Sequence, residues 1–164
     1  MKVWTITNQK GGAGKTVLAT NLAVEGSRAG LKTLLIDLDP QQSATKWWEA
    51  RDAEAPLLIK CLYNQLIDNL NSAAKQGFEL VIIDTAGREG LKHTEAIEKA
   101  TFSIVPCQPS LDDCRSALPT VDIIKQAKKK QEQKLKGKAK EEIMKQLDEK
   151  DQKKLKGLLN SFGN

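Results

Sequence analysis

Aromatic residues make up only 4% of this 164-residue chain, histidine occurs once, and cysteine three times. Each shortage excludes something. Cys61, Cys107 and Cys114 form an odd set without CxxC spacing, which argues against a disulfide scaffold and against a zinc or iron–sulfur site. Cys107 and Cys114 are expected to be buried small hydrophobes rather than redox groups. His93, in a charged helical stretch, is expected to be exposed and inert. Apolar runs are only a few residues long, far short of the ~20 that span a bilayer. The first residues enter a strand-like stretch without a secretory-signal pattern, so the chain reads as cytoplasmic.

What is present suffices for a core: 40% of residues are hydrophobic and 29% charged. The net charge of +5 is unevenly placed. Residues 127–164 hold twelve lysines against six acids, whereas residues 1–126 hold fourteen basic and fifteen acidic side chains. The excess belongs to a tail. The chain therefore divides into a body, residues 1–127, and a lysine-rich helical tail, residues 128–164.

Within the body, Val/Ile/Leu/Thr-rich runs at 2–7, 33–37, 57–61, 79–84 and 102–106 read as strands. Helical spacing fills 15–29, 43–53, 62–76, 88–100 and 113–127. Alternating strands and helices with continuously apolar strands predict an α/β fold, a doubly wound, mostly parallel sheet.

After the first strand comes Asn8-Gln9-Lys10-Gly11-Gly12-Ala13-Gly14-Lys15-Thr16, followed by a helix. Glycines let the backbone wrap so that N–H groups face phosphate oxygens, and the helix N-terminus favours the same anion. In this P-loop pattern Lys15 lies against the β- and γ-phosphates and the Thr16 hydroxyl ligates Mg²⁺. Gln9 stands where the strict pattern has its first glycine. Asp37 and Asp39 lie at a strand's C-terminal end, where open parallel sheets bind ligands. In a two-residue period they face opposite sides unless the strand has already ended. Either could alternatively cap the next helix.

Lys10 at the start of the loop makes it resemble the deviant Walker A motif of the ParA/MinD class of P-loop ATPases. Ile36-Asp37-Leu38-Asp39-Pro40-Gln41 resembles the second signature of the ParA partition ATPases. Leu80-Val81-Ile82-Ile83-Asp84-Thr85 resembles their Walker B segment, and residues 103–113 the stretch after their next strand. The resemblance covers residues 2 to about 125. It implies the P-loop NTPase fold, ATP and Mg²⁺ as cofactors, nucleotide-dependent homodimerisation and weak ATPase activity. It implies nucleotide contacts from Lys10, Gly11, Gly12, Ala13, Gly14, Lys15, Thr16 and Val17. Lys10, Lys15 and Asp39 would be catalytic: Lys10 crossing to the partner's phosphates, Asp39 orienting the water. Thr16, Asp37 and Asp84 would serve the metal. The role implied is plasmid or chromosome partition, nucleoid-associated, with nonspecific DNA and a centromere-binding adaptor protein as partners. A nonhydrolysing nucleotide-dependent switch is the alternative.

Residues 128–164 contain no Val/Ile-rich strand, and three readings of this tail stay open. It could be a solvated helix covering a sheet edge. It could be a DNA-binding segment, for duplex rather than single strands because no aromatics are interleaved. It could also be a MinD-like membrane contact through Leu155, Leu158, Leu159 and Phe162. A break in the tail is expected near Asp148.

Overall fold

The computed structural model describes residues 1–87 and 92–146. Strands β1 (Lys2–Ile6), β2 (Thr33–Asp37), β3 (Leu57–Lys60), β4 (Leu80–Asp84) and β5 (Phe102–Ile104) form one sheet in the order β3-β2-β4-β1-β5. Every pairing is parallel. Helices α1 (Lys15–Arg28), α2 (Ser43–Glu49), α3 (Leu66–Lys75), α4 (Lys92–Lys99) and α5 (Leu111–Gln146) follow the strands in turn. A 3-10 turn, Tyr63–Gln65, precedes α3.

The uninterrupted apolar runs have the reason expected for a sheet covered on both faces: β2 and β4 are buried at every position. Strand alternation then sorts the core into two. Ile6, Leu35, Leu80 and Ile82 pack with Ala19 and Ala23 of α1 and Ala44 of α2. Val3, Leu34, Ile36, Val81 and Ile83 pack with Leu66, Leu70 and Ala73 of α3 and Ala96 of α4. Each fully buried aliphatic side chain contributes roughly 1.5–3 kcal/mol, so the central strands are the firmest part of the fold. They carry the site at their C-terminal ends.

Three of the differences from the sequence reading have a visible cause. The second helix stops at Glu49 because its continuation folds back: Trp48 Nε1 donates to the Pro56 carbonyl (2.7 Å) and Arg51 Nη2 to that of Ala55 (3.0 Å). The fifth strand stops at Ile104, where the Pro106 carbonyl turns aside to accept from Asn8 Nδ2 (2.8 Å). The last helix runs unbroken through residue 127, because the Lys, Gln, Glu and Ala beyond it are strong helix formers.

The chain divides into two compact units, Met1–Ala127 and Lys128–Asn164. In the second, residues 128–146 are helical and every described lysine is exposed. The expected break near Asp148 and the amphipathic run at 155–162 lie outside the described residues. So do positions 88–91 of the expected fourth helix and the side chain of His93. Among the described residues no helix is long and apolar enough to cross a membrane.

The close approach of α1 to the sheet depends on Gly26. A Cβ there would stand 2.6 Å from Leu80 Cδ2 and 2.9 Å from Thr33 Oγ1. Helix propensity favours replacing glycine by about 1 kcal/mol, but overpacking a filled core costs about 1–3 kcal/mol. Gly26→Val adds two further methyls and is expected to destabilise by about 2–3 kcal/mol. The change should appear as a lower urea midpoint at constant slope; a midpoint equal to wild type would contradict the packing.

Candidate functional site

Neighbouring strands β1 and β4 send their connections in opposite directions, β1 to β2 and β4 to β5. The crevice outside their C-terminal ends is where open α/β sheets bind ligands. The glycine-rich loop between β1 and α1 fills that position. Gly12 and Gly14 hold φ of 73° and 86°, a region open to glycine and costly for side chains. Gly14 caps α1 without a side-chain hydrogen bond, so the first N–H groups of the helix remain available to an anion. Among the described residues no atom beyond the chain neighbours lies within 4 Å of where a Cβ of Gly11, Gly12 or Gly14 would stand. Ala13 and Thr16 are half-buried, and Val17 projects outward, 67% exposed.

Lys15 is 7% exposed, and its ammonium donates to the Lys10 carbonyl (3.1 Å), bending back onto its own loop. Desolvation lowers its pKa, with Asp84 and Asp39 acting in the opposite direction. Gly87 closes over it: a Cβ there would come within 3.2 Å of Gly11 Cα and 3.4 Å of Lys15 Nζ.

The three sequence-predicted aspartates have different surroundings. Asp37 and Asp84 are paired in register on β2 and β4. Asp37 accepts from the Asp39 N–H at one oxygen (3.0 Å), and from the N–H (2.9 Å) and hydroxyl (2.8 Å) of Thr45 at the other. It satisfies an orphan donor in the first turn of α2, the helix-capping role, and is thereby held rigid. Asp39 lies past the strand end, half-buried, with one oxygen accepting from the Gln41 N–H (2.8 Å). Asp84 is wholly buried, and among the described residues the Thr16 hydroxyl faces its carboxylate without closing to full hydrogen-bond geometry. Burial first, then the charges of Asp37 and Asp39, push it up to about 7; the Thr16 hydroxyl and Lys15 ammonium pull the other way.

Lys10 forms an ion pair with Asp113, which is 5% exposed in the first turn of α5. Further contacts brace the loop from the same segment. Thr120 Oγ1 accepts from the Gln9 N–H (3.3 Å) and Gln108 Nε2 reaches the Gly12 carbonyl (3.5 Å). Asn8 ties the other end, accepting from the Lys10 N–H (3.0 Å) while donating to Pro106. Sequence reasoning assigned no role to Asn8, Gly87, Gln108, Asp113 or Thr120. Asn8, Gln108 and Asp113 stand inside segments that carry the resemblance, but without an individual role, and Gln9 in place of a glycine is the signal at the position whose backbone reaches Thr120. Cys107 and Cys114, expected to be buried, are both exposed, because they flank the surface loop that leads into α5.

Among the described residues no cluster of three or more His, Cys, Asp or Glu could hold a metal ion unaided. A cation here must take part of its shell from a ligand's oxygens, as Mg²⁺ does with phosphates.

Ionising Asp84 opposes folding when the site holds neither nucleotide nor cation. The cost vanishes below pH ~4, where the carboxyl is protonated in folded and unfolded chains alike. It grows as pH rises and is complete above about 7. Asp84→Asn is therefore expected to stabilise the ligand-free protein by ~2–4 kcal/mol near pH 8, shrinking toward pH 4. Urea midpoints across that range measure it; a gain independent of pH would contradict the assignment.

Residues 4–162 match the CbiA family, the CobQ/CobB/MinD/ParA nucleotide binding domain. The chain is 31% identical over 131 residues to the sporulation initiation inhibitor protein Soj of Bacillus subtilis, covering 67% of this chain and 51% of Soj. It is 31% identical over 132 residues to the chromosome partitioning protein ParA of Caulobacter vibrioides, covering 68% and 49%. The chain thus spans about half the length of these two curated relatives. Among solved structures, apo McdA of Cyanothece has the same fold, with TM-score 0.65 at 19% identity, covering 79% of this chain and 67% of that one. The Mg-ADP complex of MinD from Pyrococcus horikoshii gives 0.63 at 17% identity, covering 77% and 65%. With the matched residues running from β1 past the glycine-rich loop and through α5, the chain belongs to the CobQ/CobB/MinD/ParA nucleotide-binding-domain family, alongside its ParA-type members.

Proposed function

We propose that this chain is a partition-type ATPase domain that binds ATP with Mg²⁺, dimerises on it and hydrolyses it slowly while holding DNA nonspecifically. One observation carries the reading. Beside an open cradle of N–H groups sit two buried ionisable groups of opposite sign that do not satisfy one another, Lys15 on a backbone carbonyl and Asp84 facing only the Thr16 hydroxyl. A polyphosphate with its cation matches both, and strained titratable groups in a crevice are a mark of function.

The donor set fits Mg²⁺: the Thr16 hydroxyl and the Asp84 carboxylate are hard oxygen ligands that face one another, with Asp37 as a rigid neighbour. Bound there, Mg²⁺ would neutralise charge on the phosphate oxygens. Residues 11–16 bind the phosphates through their N–H groups, and Lys15 exchanges the Lys10 carbonyl for phosphate oxygens. Asp39, beyond the strand and with an oxygen to spare, orients the attacking water. Lys10 leaves Asp113 to reach the phosphates of the partner subunit, supplying positive charge as an arginine finger does. Turnover is slow because Lys10 is held away until a dimer closes. The relative named as a chromosome partitioning protein supports the partition role; a nucleoid-associated, cytoplasmic place and a centromere-binding adaptor as activating partner belong to the same proposal.

Residues 128–146 of α5 present eight exposed lysines against three glutamates, enough to neutralise duplex phosphates without reading bases.

Three outcomes are expected. Lys15→Ala should abolish binding of a fluorescent ATP analogue with Mg²⁺, a loss of at least ~100-fold for a charged phosphate contact. Lys10→Ala should keep binding but lose phosphate release; unchanged release would remove the crossing lysine from the reading. DNA affinity should fall steeply with salt, and replacing Lys134, Lys136, Lys138 and Lys140 with Gln should flatten the log–log slope by ~3–4. A slope equal to wild type would clear these lysines of phosphate contact.

A further inference from the structure

Cys107 lies in the loop after β5, and Cys114 in the first turn of α5. Both are exposed, and their sulfurs are 3.7 Å apart, the Cys107 thiol donating toward Cys114. The backbone sets this approach. Ser110 N–H donates to the Gln108 carbonyl (2.8 Å), the Ser110 hydroxyl accepts from the Asp113 N–H (3.1 Å), and the Ser110 carbonyl accepts from Cys114 N–H (3.0 Å). These bonds fold the loop over the helix start and bring the thiols together. Cys61, the third cysteine, is half-buried against the core of the β3 side.

The pair is placed where a covalent bond would matter. Next to Cys107, Gln108 reaches the Gly12 carbonyl; next to Cys114, Asp113 holds Lys10. Joining the two cysteines would tie together both contacts that this segment makes with the glycine-rich loop.

We propose that Cys107 and Cys114 form a redox-active dithiol that a peroxide closes to an intramolecular disulfide, clamping Lys10 on Asp113. The Cys114 thiolate attacks hydrogen peroxide, breaking the O–O bond and forming a sulfenic acid, with one water formed after protonation. Cys107 then attacks the Cys114 sulfur, the S–O bond breaks and a second water leaves. Two thiols are oxidised and one peroxide is reduced to two waters. Closure brings the sulfurs from 3.7 Å to the ~2.05 Å of a disulfide through rotation of the two exposed side chains. A thiol reductant reverses the bond. The effect on ATP turnover rests on the role proposed above for Lys10; the disulfide itself does not.

The test uses the full chain, reduced and then treated with hydrogen peroxide. Two of its three thiols should become unreactive under denaturing conditions, with a mass loss of about 2 Da on disulfide formation and no covalent dimer. Dithiothreitol should restore them. Cys107→Ser and Cys114→Ser should each prevent that mass loss, and Cys61→Ser should not. Retention of three thiols, a bond involving Cys61, or an intermolecular product would overturn the pair. For the clamp, acetic anhydride should acylate Lys10 severalfold more slowly in the oxidised chain, with exposed Lys134 unchanged; equal rates at Lys10 would overturn it. ATP-analogue binding by the reduced chain is measured in parallel. Its absence would sink the nucleotide reading while the thiol and acylation results still decide this one.

Discussion

Lys15 and Asp84 are buried within electrostatic reach of each other, yet the lysine donates its hydrogen bond to a backbone carbonyl and the carboxylate faces only the Thr16 hydroxyl. Desolvating two ionisable groups without a full partner for either costs energy, and the rest of the structure makes that cost tolerable. Asp84 is the last residue of a fully buried central strand, so it cannot swing out to solvent. Lys15 is the first residue of α1, whose small residues bring it down on that strand. Gly87 then leaves just enough room for the loop above them. A ligand carrying negative phosphates and a divalent cation removes both costs at once.

The same logic explains why the loop is braced from outside. A glycine-rich segment with two residues at positive φ has little intrinsic preference for one shape. Asn8, Gln108, Asp113 and Thr120 supply that preference through long-range contacts. Helix α5 therefore has two tasks. Its first turns hold the loop and Lys10, and its later turns present lysines to solvent.

How much of this was legible in the sequence follows from the range of each interaction. The strands and the glycine loop depend on local pattern, and the sequence pattern sufficed for them; which strands flank the loop is set by the strand order, which no local pattern carries. Asp37 and Asp39 were legible as strand-end acids, but Thr45 decides which of them is capping, through a contact eight residues away. The brace was not legible at all. Gln9 meets Thr120, and Lys10 meets Asp113, across more than one hundred residues, and no local propensity marks such partners. The exposure of Cys107 and Cys114 was misread for a related reason: their composition is that of core residues, and only the turn around Ser110 puts them outside.

The central claim is that both loop lysines are held in provisional contacts which a nucleotide replaces. A crystal structure of this chain with a nonhydrolysable ATP analogue and Mg²⁺ tests it directly. The expected result is Lys15 Nζ moved from the Lys10 carbonyl to phosphate oxygens, Asp84 partnered, and Lys10 released from Asp113. A bound complex in which Lys15 still donates to Lys10 and Lys10 still pairs with Asp113 would contradict it.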